Sequence, residues 1–281
     1  MSATLGALAR LMRVDRGLAA ALYVPVGMSL SSRPLRVEPA DALVGMLVVA
    51  CLTWFGNAIN DVADAGSDAL TRPARPIPSG LVSPQFARRF AWSLAAAGMA
   101  LAFTLGARAA IVAAVAMLLA AAYSLRLKST LLAGNAAVGS CVGGVLLFGG
   151  VIAGRVSPPI LWGAVMTALY ITTQEVLFNI EDEPGDRRAG QATTAARLGR
   201  PGAIRLHRAL AILFLGVALA PFGSVPGATA YLIAVLACAV APTVIVLALL
   251  ADATESRIAS AVRWSRVAWM GGVVPLLLLP S

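Results

Sequence analysis

The sequence predicts an all-α protein that crosses a membrane many times, and three observations predict it. Hydrophobic residues make up 59% of the 281 and charged ones 12%, about half the charged share of an ordinary soluble domain. Apolar runs of about 20 residues, long enough to cross a hydrocarbon core of about 30 Å, recur along the whole chain. The breaks between them are polar or rich in Pro and Gly, and none is long enough for a soluble domain of any size.

Nine such runs lie at roughly 17–32, 40–60, 86–106, 108–125, 134–153, 158–178, 203–222, 226–250 and 262–280. The first has Arg10, Arg13 and Arg16 ahead of an apolar core, as a signal peptide would, but eight further spans favour a retained first helix. Basic residues test the count. Eighteen fall before the first span or after an even-numbered one, at 10–16, 72–89, 126–128, 187–208 and 257–266. Arg33, Arg36, Arg108 and Arg155 fall on the other side. By the positive-inside rule the chain sits in the cell membrane as a multi-pass protein, N-terminus cytoplasmic and C-terminus outside. Its net charge of +9 is then explained by topology and anionic membrane lipids, without a nucleic-acid partner.

Acidic residues cluster more tightly than basic ones. Of thirteen, Asp61, Asp64 and Asp68 cluster at the end of the second span, and Glu175, Glu181, Asp182, Glu183 and Asp186 at the end of the sixth. On a helix Asn60, Asp64 and Asp68 share one face, as do Asp182 and Asp186 if that helix continues. Stacked like charges near a membrane are costly, and a bound divalent cation removes the cost. Oxygen donors without nearby His or Cys favour Mg²⁺, which usually binds through one or two carboxylates and a substrate phosphate. Two patches therefore suggest two ions with a phosphorylated substrate between them.

Each patch runs into arginines, "TRPARPIPSG" after the first and "GDRRAG" after the second, and guanidinium groups fork onto phosphate oxygens. The alternative is that both patches are solvated loop charges. Asp64 and Asp182 are separated by the same distance in sequence as Asp68 and Asp186. That hints at a single domain built from two related halves, about 1–125 and 134–281, meeting at a shared site.

A third stretch, "YSLRLKSTLLAGNAAVGSCVGG", spans residues 123 to 144. Lys128 is the single lysine among 21 arginines, a candidate for a role needing a compact ammonium. Tyr123 is read either as an interfacial anchor or as a ligand contact, and Asn135 as a packed turn or a ligand contact. Gly139 and Gly143 form a small-xxx-small pair suited to close helix packing. Cys51, Cys141 and Cys238 show no metal spacing. His207 follows Arg205 in a basic stretch and is read as interfacial.

"NAINDVADAGSD", "RPARPIPSG", "YSLRLK" with "LAGN", and "NIEDEPGD" occur in this order and resemble the signature stretches of the UbiA-type intramembrane prenyltransferase superfamily. Within it they are most similar to the branch of geranylgeranylglyceryl phosphate geranylgeranyltransferases. The resemblance covers most of the chain. It implies nine helices around a central cavity with a cytoplasmic cap, and Mg²⁺-dependent transfer of a prenyl group from a prenyl diphosphate to a lipophilic acceptor. That acceptor is geranylgeranylglyceryl phosphate or an aromatic or quinone precursor. Carried over by position, Asn60, Asp64 and Asp68 bind one metal and Asp182 and Asp186 the other. Arg72, Arg75 and Lys128 bind the diphosphate, with Tyr123 nearby. Asp61 lies about 100° round the helix from Asn60 and about 60° from Asp64, so a structural role suits it as well. Asn135 and Glu175 are further substrate-binding candidates, Glu175 as a proton acceptor for the acceptor substrate or an ordinary helix-end charge.

Asn179, Gln174, the Glu183–Pro184 pair and the opening "RVDRG" depart from the family pattern, and acceptor recognition is what these departures touch. Other readings remain. A terpene cyclase of the same fold would need the acids but no acceptor. A transporter would use intramembrane acids as an ion path, although these acids sit at span ends beside arginines. A CDP-alcohol phosphotransferase would carry a continuous DGxxAR pattern, which this sequence lacks.

Overall fold

The computed structural model describes residues 2–31, 38–225 and 227–279, and among them all regular structure is helical. Arg33 and Arg36 lie outside the described residues. The helices are α1 (Ser2–Met12), α2 (Val14–Ala21), α3 (Tyr23–Ser29), α4 (Pro39–Ala63), α5 (Ala65–Thr71), α6 (Pro84–Thr104) and α7 (Ala107–Leu125). After a 3₁₀ turn at Leu127–Ser129 come α8 (Ala133–Ile152), α9 (Pro158–Arg188), α10 (Thr194–Leu219), α11 (Ala228–Val235), α12 (Ala241–Leu249), α13 (Glu255–Gly271) and α14 (Val273–Leu277). A π turn, Leu236–Val240, joins α11 to α12.

Six helical stretches among the described residues are long and apolar enough to cross a membrane: α4, α7, α8, α9, α10 and the α11–α12 unit. The other three expected spans are built differently. Run 17–32 falls on α2 and α3, which meet at Leu22, and run 262–280 on α13 and α14, which meet at Gly272. The third, α6, is one unbroken helix that carries Arg88 and Arg89 near its start.

Local signals account for the helix starts. Proline opens α4, α6 and α9, where its missing N–H costs nothing. Ser83 and Thr254 cap α6 and α13 by accepting from the backbone N–H groups of Phe86 and Arg257. Gly106, at φ 99°, makes the short turn from α6 into α7, a conformation that disfavours any side chain.

The helices close into a ring. α4 lies against α2, α6 and α7, α7 against α8, α8 against α3 and α9, and α9 against α10 and α13, while α14 returns to α3. α8 and α9 make the most extensive contact. A Cβ on Gly139 would collide with the Thr172 hydroxyl and the Ala168 carbonyl, and one on Gly143 with the Ala164 carbonyl. This pair therefore brings two backbones together, as expected where lipid gives helices no hydrophobic reason to associate. Leu43, Leu47, Ile111, Val115, Ile212 and Val267 are among the side chains left exposed on the ring's outside, where an apolar solvent suits them.

Two apolar clusters fix the polar ends of α4 and α9. Phe55, Ala58 and Ile59 of α4 pack with Leu11 of α1, Ile77 and Val82 of the following loop, and Ala91 of α6. Val176, Leu177 and Ile180 of α9 pack with Ala203 and Ile204 of α10, Val246 of α12 and Ile258 of α13. Each acidic stretch thus extends from a helix end held on several sides.

Candidate active site

α4 ends at Ala63, and Asp64 forms the junction with α5 at φ −87°, ψ 0°. The i to i+4 ladder nonetheless runs on. The amides of Asp64, Asp68 and Arg72 donate to the carbonyls of Asn60, Asp64 and Asp68 at 2.9, 2.8 and 2.7 Å. The expected alignment of Asn60, Asp64 and Asp68 therefore survives the junction. Asn60 donates from Nδ2 to Asp64 Oδ2 at 2.9 Å, and Lys128 Nζ, from the turn after α7, donates to the same oxygen. All three aspartates are buried.

The loop after α5 folds back over them. Arg75 Nη1 donates to Asp68 Oδ2 at 2.5 Å and to Asp61 Oδ1 at 3.3 Å. Arg72 Nη2 donates to Asp182 Oδ1 of α9 at 2.5 Å while its Nη1 stands 4.0 Å from Asp68. One guanidinium therefore touches both acidic sets, which face a common space. Burial opposes the charge on Arg72, but the hydrogen bond and charge of Asp182 outweigh it and raise its pKa.

α9 runs through Pro184 to Arg188, which puts Asp182 and Asp186 one turn apart on one face. Thr193 donates to Asp186 at 2.8 Å. A roof forms where three connecting segments interlock. Gln191 donates to Ser67 at 2.6 Å, Arg197 to the Ser129 carbonyl at 2.8 Å, and the Leu132 amide to Thr194 at 3.2 Å.

The remaining candidates separate into two groups. Glu175, on α9 two turns before Asp182, feels the charges of Arg16, Arg13 and Lys128. Tyr123, in the last turn of α7, has Glu175 and Asp64 as charged neighbours, and among the described residues its hydroxyl makes no hydrogen bond. Asn135 is drawn elsewhere. It donates to Asn179 at 3.0 Å and accepts from Thr194 at 2.6 Å, so its amide braces α8 against α9 and the roof from within α8.

His207 is not interfacial: it is buried inside α10 with Nδ1 3.0 Å from the Thr173 carbonyl. Sequence reasoning also missed Arg13, counted there only as one of the basic residues. Its Nη1 and Nη2 donate to Asn57 at 2.8 Å and Asp61 at 2.6 Å. No local pattern announces contacts that cross more than forty residues.

The donor set suits a hard cation. It offers carboxylates and the Asn60 Oδ1, a buried acceptor with no partner, with no sulfur or imidazole among them. Among the described residues no three His, Cys, Asp or Glu side chains converge on one point. Any ion here would complete its shell with water or phosphate, as Mg²⁺ does. Farther along α9, Met166 and Tyr170 join Tyr23, Phe214, Val235 and Trp269 around an apolar pocket, whose Tyr170 lies about 18 Å from Asp182 at 1.5 Å per residue.

A model of the UbiA prenyltransferase family matches residues 21–268. The chain belongs to this family. It is therefore an enzyme of prenyl transfer. The digeranylgeranylglyceryl phosphate synthase of Methanopyrus kandleri is 34% identical over 92% of this chain and 93% of its own length. The synthase of the same name from Methanoregula boonei is 42% identical over 56% and 57%. A solved digeranylgeranylglyceryl phosphate synthase superposes with a TM-score of 0.77 at 24% identity, covering 99% of this chain and 98% of that one. A UbiA homologue from Archaeoglobus fulgidus, bound to GPP and Mg²⁺, superposes with a TM-score of 0.74 at 17% identity, covering 96% and 99%. The solved structures share the UbiA fold.

Proposed function

We propose that this UbiA-family enzyme transfers a geranylgeranyl group from geranylgeranyl diphosphate to geranylgeranylglyceryl phosphate, with Mg²⁺ as cofactor. One observation carries the site assignment: Arg72 lies 2.5 Å from Asp182 and 4.0 Å from Asp68, so both acidic sets stand within reach of one guanidinium group. The acceptor rests on the identity to the Methanopyrus kandleri synthase along nearly the whole chain.

In this reading Asn60, Asp64 and Asp68 hold one Mg²⁺, and Asp182 and Asp186 the other. When bound, the ions neutralise the diphosphate and stabilise the charge that builds on it as the allylic C–O bond breaks. Arg72, Arg75 and Lys128 donate to the phosphate oxygens and orient the leaving group. The apolar pocket around Tyr23, Tyr170 and Phe214, about 18 Å from Asp182 along α9, takes the far part of the isoprenoid tail. Tyr123, which has Glu175 and Asp64 as charged neighbours, offers its ring to the allylic cation. The acceptor hydroxyl attacks C1, and a Glu175 carboxylate oxygen takes its proton.

The same reading takes the enzyme to span the cell membrane nine times. The spans are the α2–α3 pair, α4, α6, α7, α8, α9, α10, the α11–α12 unit and the α13–α14 pair. The roof and N-terminus are cytoplasmic and the C-terminus is outside. Two related halves are supported by matching neighbours: α4 lies between α2 and α6, and α9 between α8 and α10.

The test is incubation of the purified enzyme with radiolabelled geranylgeranyl diphosphate, geranylgeranylglyceryl phosphate and Mg²⁺. Labelled digeranylgeranylglyceryl phosphate is expected. A labelled cyclic hydrocarbon formed without the acceptor, or transfer only to an aromatic acceptor, would overturn the assignment.

A further inference from the structure

Arg13 occupies an unusual place. It separates α1 from α2 in the left-handed region, at φ 50° and ψ 62°, where side chains with a Cβ are uncommon. This backbone turn coincides with a clamp on α4: Arg13 donates to Asn57 and Asp61, and Asn57 Nδ2 returns a bond to the Met12 carbonyl at 2.8 Å. A strained residue persists where its surroundings over-determine it, and such residues gather at functional sites.

The recipient, Asp61, is 3% exposed and shares one oxygen, Oδ1, between two guanidinium groups. Arg13 is the near partner at 2.6 Å and Arg75 the far one at 3.3 Å. The same Arg75 nitrogen lies 2.5 Å from Asp68. Arg75 is therefore pulled from both sides, and Arg13 decides how strongly Asp61 pulls. With Arg13 in place, the Asp61 charge is already matched and Arg75 stays on the Asp68 side. Without it, a buried carboxylate has only Arg75 to turn to, and a buried charge needs a partner.

We propose that Arg13 is a positioning residue: by satisfying Asp61 it keeps Arg75 poised toward the diphosphate. The inference rests on the reading that Arg75 binds diphosphate. It assigns Arg13 no contact with substrate.

The test is binding of inorganic pyrophosphate in the presence of Mg²⁺ to the purified full-length protein, measured by calorimetry, with thermal melts confirming that each variant is folded. Arg75→Ala is the control, and pyrophosphate binding equal to wild type there would overturn the Arg75 reading itself. Given a weakened Arg75→Ala, Arg13→Ala is expected to bind about tenfold more weakly, the loss of one charge-assisted hydrogen bond. In the Arg75→Ala background the same change should cost less than about twofold, because the effect travels through Arg75. Arg13→Lys, which keeps the charge but lacks the two-nitrogen fork that reaches Asn57 and Asp61, should fall between. It carries the same cycle if Arg13→Ala does not fold. A full, additive loss in the Arg75→Ala background, or wild-type binding by folded Arg13→Ala, would overturn the proposal.

Discussion

The two acidic sets use the same side chains but are supported differently. The first is buried at a helix junction and surrounded by its own counter-charges: Arg13 and Arg75 on Asp61, Arg75 on Asp68, Lys128 on Asp64. The second stands on one continuous helix. Its Asp182 side chain is 38% exposed and meets a single arginine, and Asp186 is held by a threonine from the roof. The first set is held by its own counter-charges, whereas the second depends on the length of α9 and on the roof segments closing over it. A similar acidic spacing therefore does not imply a shared mechanical design.

The largest expected effect would erase the comparison. Asp64→Ala and Asp182→Ala should each lower kcat by about 10³-fold or more, as should removal of Mg²⁺ with a chelator, because in the proposed function each disables a metal position. Substantial turnover by either purified variant would show that the two sets are not equal partners. Stability should then separate them. Asp61→Ala, which leaves Arg13 without a carboxylate partner among the described residues and takes one of two from Arg75, should cost about 3 kcal/mol, whereas Asp182→Ala should cost less than about 1 kcal/mol, as for an exposed pair. Denaturant unfolding of both variants in the same detergent checks this, and equal losses would break the contrast.

Lys128→Ala should reduce kcat by about 10²-fold through lost stabilisation of the leaving group. Lys128→Arg should recover only part of it, since a planar fork is a poor substitute for a compact ammonium. Thr193→Ala should have the smallest effect, about fivefold in kcat/KM, since it removes one hydrogen bond that orients Asp186. A larger fall would mean the roof contributes more than that bond.

Much of this was legible in the sequence because it is written locally. Apolar run lengths marked the helices, and the i to i+4 spacing of Asn60, Asp64 and Asp68 survived a junction that the sequence does not announce. What escaped depends on partners far away. The α2–α3 and α13–α14 runs read as single spans because hydropathy does not register where a helix breaks. Asn135 read as an even choice between turn and ligand, since its partners Asn179 and Thr194 lie 44 and 59 residues on. Arg13 read as a topology charge, because its left-handed backbone serves a contact 48 residues away. His207 was placed by its basic neighbours, whereas the carbonyl of Thr173 determines its setting.

The counter-charges within the first set also bear on how the protein is made. A membrane chain emerges from its N-terminus onward, and a lone carboxylate entering the bilayer is expensive. Here Arg13 is synthesised before Asp61 and Arg72 before Asp182, while Asp64 precedes its lysine by 64 residues, the longest such interval at the site. Each half-finished chain thus already contains, or soon acquires, the base that matches its acid. Insertion of the first acidic patch can proceed close to electroneutrality, long before the second patch or any magnesium arrives.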